Sequence, residues 1–312
     1  EIYADKAREA AKMMKWVDSD IKLVACGSSY EMLPTYLKWD ETIMKQLYPY
    51  VDYISTHNYN MNSGQGTQNF LASWKQLDDH IQNTKNVLNY SKSLQPKFKD
   101  KDIKICLDEW NVWNMQDIKM DSLDDLNGMT TFELTDAKKW EEHPAILQEK
   151  YSLLDALVVG GLGITILNNV DAVDIACLAQ LLNVISPITT DEDGHLLKQT
   201  IYYPFQLLTE YGRGEVLKPH IESDTQSTDY GDIPVVETAT VYDKANQQLH
   251  VFALNSDTKQ SSTLALHLTG FKSINLTEHI TFTGDDLKAI NTFENPNNVI
   301  PTKLSTENES LD

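Results

Sequence analysis

The chain has 312 residues, enough for one large domain or for a large and a smaller one. It is 41% hydrophobic and 9% aromatic, which predicts a buried core and excludes disorder along the whole chain. The net charge of −20, from 46 acidic and 26 basic residues, argues against nucleic acid or an anionic membrane as a partner.

The first 185 residues alternate between helix-like and strand-like segments. A helix opens the chain, because apolar residues recur there at spacings of three and four (Tyr3, Ala7, Ala10, Met14, Val17). Further helices are expected across residues 69–93 and 145–167, and buried strands at 21–29, 51–59, 101–110 and 173–185. Strands separated by helices predict right-handed β-α units and a parallel sheet.

The pattern changes at about residue 195. Residues 247–257 and 261–271 alternate apolar and polar side chains, with Leu264, Leu266 and Leu268 on one face. Turn residues separate these segments, which predicts an antiparallel β-sandwich. The sequence thus predicts an α/β portion at residues 1–194 and an all-β portion at 195–312.

Polar and aromatic side chains follow the predicted strands at their carboxyl ends, where α/β proteins carry their chemistry. Glu109 lies at the end of the third strand and is followed by Trp110 and Trp113. Aromatic rings stack on sugars, and a positioned carboxylate can attack a glycosidic centre, so these residues predict carbohydrate chemistry. The alternative is a strand-end Glu that pairs with a loop Lys or Arg.

His57 and Tyr59 end the second predicted strand, on the same side because strand side chains repeat every two residues. Either could form a hydrogen bond with Glu109, although a loop His bonded to the backbone is the simpler interpretation. Gln180 is a polar amide inside the fourth predicted strand. Since a buried amide must be satisfied, it either binds a sugar hydroxyl or holds a neighbouring loop.

Each of the three cysteines lies in an apolar run (Cys26, Cys106, Cys177). An odd number in such settings is typical of reduced thiols, so a cytoplasmic protein is expected. The longest apolar stretch, residues 153–167, is too short to span a bilayer. Cysteines and histidines lack zinc-ligand spacing, and the sequence suggests neither a metal nor a cofactor.

Several motifs together resemble glycoside hydrolase family 51, the retaining α-L-arabinofuranosidases. They are, in family order, KLVACGSS, VDYISTHNY, LDEWNVW, LQEKYSLLDALVVGGLGITILNN, IACLAQLLNVISPI and QTIYYPFQLLTEYGRGEVL. The resemblance extends from residue 1 to about residue 217, and more loosely through NTFENPNNVIP. It implies the second half of a (β/α)8 TIM barrel, about four β-α units, followed by a jelly-roll-like β-sandwich.

The resemblance also implies roles for five residues. Glu109 matches the nucleophile of an exo-acting enzyme that removes arabinofuranosyl residues from arabinoxylan, arabinan or their oligosaccharides. Tyr59 matches the tyrosine that contacts this nucleophile, and His57 matches the histidine of the same motif. Trp113 matches an aromatic wall of the sugar pocket, and Gln180 matches a glutamine that binds the sugar.

One residue that the resemblance implies is missing. The family's acid/base Glu lies in a Gly-Asn-Glu motif, which does not occur in these 312 residues. The acid/base is therefore expected from another chain or from a segment outside this sequence. Glu31, Asp52 and Asp108 are the weaker candidates, and Asp108 is expected to point away from Glu109. A half-barrel has open edges, so a homo-oligomer or a second chain is expected to complete it.

Other functions stay open at the level of sequence. A half-barrel could bind arabinose-bearing glycans without hydrolysing them, or act as a β-xylosidase. An esterase could use Ser28 or Ser29 with His57, although the GxSxG motif is absent and turn residues are the simpler interpretation.

Overall fold

A four-stranded parallel sheet forms the first part of the molecule. The computed structural model describes residues 1–114, 147–271 and 274–305. The strands lie in the order β1-β2-β3-β4, each parallel to its neighbour. They are β1 (Val24–Ala25), β2 (Tyr53–Asn60), β3 (Lys104–Val112) and β4 (Val173–Leu178). The predicted β-α units are confirmed, although only two residues of the predicted strand at 21–29 join the sheet.

Helices connect and cover these strands. They are α1 (Ile2–Val17), α2 (Lys38–Leu47), α3 (Thr67–Leu71), α4 (Trp74–Ser93) and α5 (Leu153–Asn168). The long helix predicted at 69–93 is two helices, because the chain breaks at Ala72 and Ser73. Within the described residues, no helix is both long and apolar enough to cross a membrane.

The core lies between the sheet and the helices. Ile54, Ile105 and Leu107 in the central strands are fully buried, and they pack with buried side chains of α2, α4 and α5. Each such side chain contributes roughly 1.5–3 kcal/mol on burial. This packing fixes the strands β2 and β3, whose carboxyl ends carry the residues singled out in the sequence.

A capping box determines where α5 begins. The Ser152 side chain accepts a hydrogen bond from the backbone N–H of Asp155, and the Asp155 carboxylate accepts one from the Ser152 backbone. The helix predicted at 145–167 therefore begins only at Leu153, and residues 145–146 lie outside the described residues.

The fourth strand is shorter than predicted. It ends at Leu178, and residues 179–185 form a loop with the Leu181 side chain exposed. The apolar run suggested a strand to residue 185, but the loop is closed by a bond from Gln180 N–H to the Ile185 carbonyl. Gln180 therefore lies beyond the strand and is exposed, which corrects its predicted position inside it.

Antiparallel strands make up most of the second part. One sheet has the order β11-β10-β7, formed by β7 (Glu215–Leu217), β10 (Val236–Asp243) and β11 (Gln248–Asn255). Two-stranded pairs are β5 (Ile188–Thr190) with β6 (Leu196–Lys198), β8 (Thr225–Thr228) with β9 (Gly231–Pro234), and β12 (His279–Thr281) with β13 (Thr302–Leu304). The strand predicted at 247–257 is confirmed.

The prediction of a strand at 261–271 is wrong. Its residues form no strand, and Leu264 and Leu266 are exposed because no neighbouring strand covers the predicted apolar face. The predicted division at 194/195 lies in the turn between β5 and β6 and stays a prediction. Helix α6 (Tyr202–Tyr211) follows this hairpin and packs on α5. The described fold is thus a partial α/β unit joined to antiparallel sheets, as predicted.

Candidate active site

Glu109 lies near the carboxyl end of β3 with its side chain 48% exposed. The Tyr59 hydroxyl donates a hydrogen bond to Glu109 Oε2 over 3.0 Å. His57 Nδ1 lies 3.5 Å from the same oxygen. Both side chains therefore reach Glu109 from β2, as the period of two residues along that strand predicts. Their contacts fall on Oε2, so this is the oxygen of Glu109 that the two side chains hold.

Asp108 does not point away from Glu109 as predicted. The β2–β3 register shifts after Thr56, which pairs with Leu107, so that His57 pairs with Glu109 and Asp108 is the extra residue. Such a bulge breaks the alternation of side chains on which the prediction rested. Asp108 Oδ1 lies 3.3 Å from His57 Nε2, and the imidazole therefore has a carboxylate beside each nitrogen.

The two tryptophans after Glu109 have different environments. Trp113 is half-buried, and its ring meets that of Tyr59 edge to face, with centroids 5.7 Å apart. Trp110 is buried against Phe205 and belongs to the core, since their centroids are 6.3 Å apart. Of these two tryptophans, Trp113 is the one that can present an aromatic surface beside Glu109.

Asn111 is a residue of this region that sequence reasoning missed. Its buried side-chain amide donates to the carbonyl of Ile185 over 2.7 Å and also to that of Ala179. These bonds tie β3 to the loop that carries Gln180. The signal was present, because an Asn two residues after Glu109 in a buried strand must find partners.

Burial and charge keep Tyr59 protonated. Burial raises the pKa of the Tyr59 hydroxyl, and the adjacent Glu109 carboxylate raises this pKa further because a phenolate there would be repelled. Tyr59 is therefore a fixed hydrogen-bond donor at neutral pH. Burial also raises the pKa of Asp108, while the charge of His57 opposes that rise.

The other predicted carboxyl groups have different surroundings. Asp52 precedes β2, at the opposite end of the strand from Tyr59, and accepts a bond from the Leu23 N–H. Glu31 accepts a hydrogen bond from the Tyr36 hydroxyl over 3.5 Å, and burial raises the Glu31 pKa. Asp52 thus lies at the wrong edge of the sheet to act with Glu109.

Ser28 belongs to a buried turn. Its N–H donates to Asp40 Oδ1 over 2.7 Å, and its carbonyl accepts from the Thr56 hydroxyl over 2.9 Å. Among the described residues, the ionic contacts of His57 are with the carboxylates of Asp108 and Glu109. The geometry therefore favours carboxylate chemistry over a serine esterase.

One group of side chains has atoms close enough to share a metal ion. It lies in the turn between β5 and β6 and consists of Asp191, Asp193 and His195, with ligand atoms within 4.8 Å of one another. The ion pair between His195 Nδ1 and Asp191 Oδ2, at 2.7 Å, explains part of this arrangement without a metal.

A parallel sheet with a carboxylate, a phenol, an imidazole and an indole at its carboxyl edge is typical of a carbohydrate-active α/β protein. Comparisons with known proteins identify the family to which the chain belongs. Residues 108–311 match the family model of the α-L-arabinofuranosidase C-terminal domain. The chain belongs to the α-L-arabinofuranosidases of glycoside hydrolase family 51 and corresponds to their C-terminal portion, which confirms the resemblance found in the sequence.

Individual relatives agree with this assignment. The intracellular exo-α-(1→5)-L-arabinofuranosidase 1 of Bacillus subtilis is 40% identical over 303 residues, covering 96% of this chain and 56% of that protein. The corresponding protein of Acetivibrio thermocellus is 38% identical, covering 93% of this chain and 55% of that protein. A family 51 α-L-arabinofuranosidase structure from Bifidobacterium longum has a TM-score of 0.82 at 30% identity, covering 98% of this chain and 58% of that one. The chain thus spans somewhat more than half the length of these relatives.

Proposed function

We propose that this chain carries the nucleophile of an exo-acting, retaining α-L-arabinofuranosidase. Glu109 attacks the anomeric carbon of a terminal arabinofuranosyl unit, the glycosidic C–O bond breaks, and an arabinosyl ester of Glu109 forms. Water then hydrolyses the ester and releases arabinose. The observation that carries the proposal is the exposed Glu109 carboxylate at the strand end, with Oε2 held by Tyr59.

The contacts suggest which oxygen reacts. Tyr59 and His57 both approach Oε2, so we assign the attack to Oε1. Because burial raises the pKa of Tyr59, its hydroxyl stays protonated and keeps donating to Glu109 Oε2. Trp113 then forms the wall on which the sugar packs, and Gln180 binds a sugar hydroxyl from the adjacent loop.

The second carboxyl group of this mechanism is proposed to come from outside these 312 residues, on another chain or another segment. A retaining site needs its two carboxyls roughly 5–5.5 Å apart. The relatives whose C-terminal portion matches this chain are longer, which is consistent with that source. No step in this proposal requires a metal or a cofactor.

The substrate class follows from the relatives by analogy. Several are named exo-α-(1→5)-L-arabinofuranosidases, and one from Bifidobacterium longum is named an exo-α-(1→6)-L-arabinofuranosidase. We propose arabinose-bearing polysaccharides or oligosaccharides, such as arabinan and arabinoxylan, as substrates. The names of several relatives include the word intracellular, and we propose a cytoplasmic location here.

The test is covalent labelling with 2,4-dinitrophenyl α-L-arabinofuranoside, whose leaving group departs without acid assistance. Mixing it with the chain should release a burst of about one dinitrophenolate per chain, because the intermediate forms without the acid/base group. Peptide mass analysis should place the arabinosyl group on Glu109. The Glu109→Gln variant should show no burst.

Glu31→Gln is the matched control, since it neutralises another of the half-buried carboxyl groups considered and should leave the burst unchanged. A label on any other residue would contradict the assignment of Glu109. Binding of arabino-oligosaccharides with no burst from the parent chain would instead favour a protein that binds sugars without hydrolysing them.

A further inference from the structure

Asp108 has no role in the proposed mechanism, yet it has an unusual environment. It occupies the bulge of β3 next to Glu109. Its Oδ1 atom is shielded from solvent and makes no hydrogen bond within the described structure, while His57 Nε2 lies 3.3 Å away. A buried carboxylate oxygen without a donor is costly. His57 Nε2 is thus a nitrogen within reach of this oxygen, and a hydrogen on it is the donor that the described structure offers.

The other nitrogen of the same imidazole faces Glu109. His57 Nδ1 lies 3.5 Å from Glu109 Oε2, so the ring stands between two carboxylates. A neutral imidazole has a single N–H and an exposed lone pair on its other nitrogen. That lone pair would repel whichever carboxylate it faced. Both contacts are favourable at once when both ring nitrogens carry hydrogen, or when a protonated Asp108 donates to Nε2 of a neutral ring that carries its hydrogen on Nδ1.

We propose that Asp108 is a positioning residue that acts on Glu109 through His57. Its carboxylate accepts the Nε2 hydrogen and favours the doubly protonated ring. His57 then directs its Nδ1 hydrogen to Glu109 Oε2, which leaves Oε1 for the anomeric carbon. This inference deepens the proposed function and rests on it. It also gives the bulge a purpose, because a regular strand would direct the Asp108 side chain away from the ring.

Four described side chains near His57 and Asp108 are neutral at pH 7. Burial lowers the pKa of His80, on α4, to about 4, with the charge of His57 as a smaller cause. Burial raises the pKa of Tyr59 and those of the thiols Cys26 and Cys106, which also experience the Asp108 charge. The two carboxylates are thus the charges that face His57 from β3.

The experiment is a pH titration of the full chain with nitrogen-15-labelled histidine, followed by NMR. His57→Gln identifies the His57 signals. Asp108→Asn keeps the side-chain shape and removes its charge, and it should lower the midpoint of the His57 titration by about one pH unit. Asp174→Asn is the matched control, because it removes one exposed carboxylate from the adjacent strand β4 and should leave the midpoint unchanged.

A second variant separates charge from shape. Asp108→Glu restores the negative charge and should return the midpoint most of the way to that of the parent. The rate of Glu109 labelling at pH 7 should fall at least roughly ten-fold in Asp108→Asn and recover in Asp108→Glu. An unchanged midpoint in Asp108→Asn would overturn the proposal.

The parent spectrum alone also tests the proposal, so the result does not depend on a variant that folds. Above its titration midpoint, His57 should keep its remaining hydrogen on Nε2, facing Asp108. A remaining hydrogen on Nδ1 would overturn the proposal. If the proposed glycosidase function is wrong, Glu109 of the parent will carry no label. The His57 spectra do not depend on that label, so they would still test the role of Asp108.

Discussion

His80 is a buried titratable residue on α4, next to the strand that carries His57 and Tyr59. The side chain lies under β2, where His80 Nε2 and the Thr56 hydroxyl are 2.8 Å apart. Burial lowers the pKa of His80 from 6.5 to about 4, because an imidazolium there would lose its hydration. The residue therefore folds in its neutral form.

We predict that this histidine reduces stability in acid. Between pH 6.5 and 4 the unfolded chain binds a proton at His80 that the folded chain does not. Its contribution to the free energy of unfolding is complete above pH 6.5 and falls by about 3 kcal/mol as the pH drops to 4. Urea titrations should show that, between pH 6.5 and pH 4, the free energy of unfolding of the parent falls by about 3 kcal/mol more than that of His80→Gln.

His220→Gln is the control for this prediction, because His220 is largely exposed and its substitution should leave the pH dependence unchanged. A difference between the parent and His80→Gln that stays constant from pH 7 to pH 4 would contradict the prediction.

The sequence predicted part of the site at this scale. The contacts of His57 and Tyr59 with Glu109 could be predicted. Strand ends and the alternation of side chains can be inferred from one chain segment at a time. The position of Asp108 could not be predicted, since a bulge is defined by the register between two strands. Asn111 was missed for a similar reason: its partners belong to a loop nearly 70 residues away.

Among the elements, α5 shows how a glycine-rich helix can pack closely on its neighbours. A Cβ atom added at Gly163 would lie 1.9 Å from Leu208 Cδ1 on α6, whereas one added at Gly160 would have Pro204 Cβ at 3.8 Å as its nearest neighbour. Of these two glycines, Gly163 is required by packing and Gly160 is not.

We predict opposite effects of alanine at these two positions. Gly163→Ala should lower the free energy of unfolding by roughly 1–3 kcal/mol, because Leu208 must move out of a packed contact. Gly160→Ala should be neutral or stabilising by up to about 1 kcal/mol, because alanine favours the helix. Urea midpoints of the two variants test this, and shifts of equal size and sign would contradict it.

Element boundaries were predicted less well than element types. Apolar content alone predicted that β4 continues to residue 185, but hydrogen bonds from Asn111 and Gln180 close a loop there. The start of α5 depends on the capping box of Ser152 and Asp155, a signal present in the sequence but not used. The expected strand at 261–271 had the right alternation and no neighbouring strand to pair with.

On the scale of the whole molecule, the sheet has an edge at β1 with apolar side chains beside it. β1 pairs only with β2 among the described strands. On α1, Trp16 and Val17 are 83% and 91% exposed, and Met13 is also exposed. Val24, on β1, is exposed as well. Exposed apolar side chains and an unpaired strand edge each favour association.

We predict that the chain self-associates through this surface, in line with the expected oligomer. Replacing both Trp16 and Val17 by Gln should weaken association roughly ten-fold or more, since each loses apolar area that contact would bury. Sedimentation velocity over a range of concentrations gives the measurement. The double variant Leu94→Gln and Val170→Gln, at exposed apolar positions elsewhere, should associate like the parent, and a monomeric parent would contradict the prediction.

The amide of Asn111 has a consequence for how this molecule can diversify. It joins the strand that carries Glu109 to the loop that carries Gln180 through two carbonyl groups. The distance between Glu109 and Gln180 is thus determined by buried hydrogen bonds, and changes in the exposed loops do not affect it. If the proposed function holds, surface loops can vary and change which glycans bind, while the distance between Glu109 and Gln180 stays the same. Substrate specificity could then change through the exposed loops without loss of the proposed chemistry.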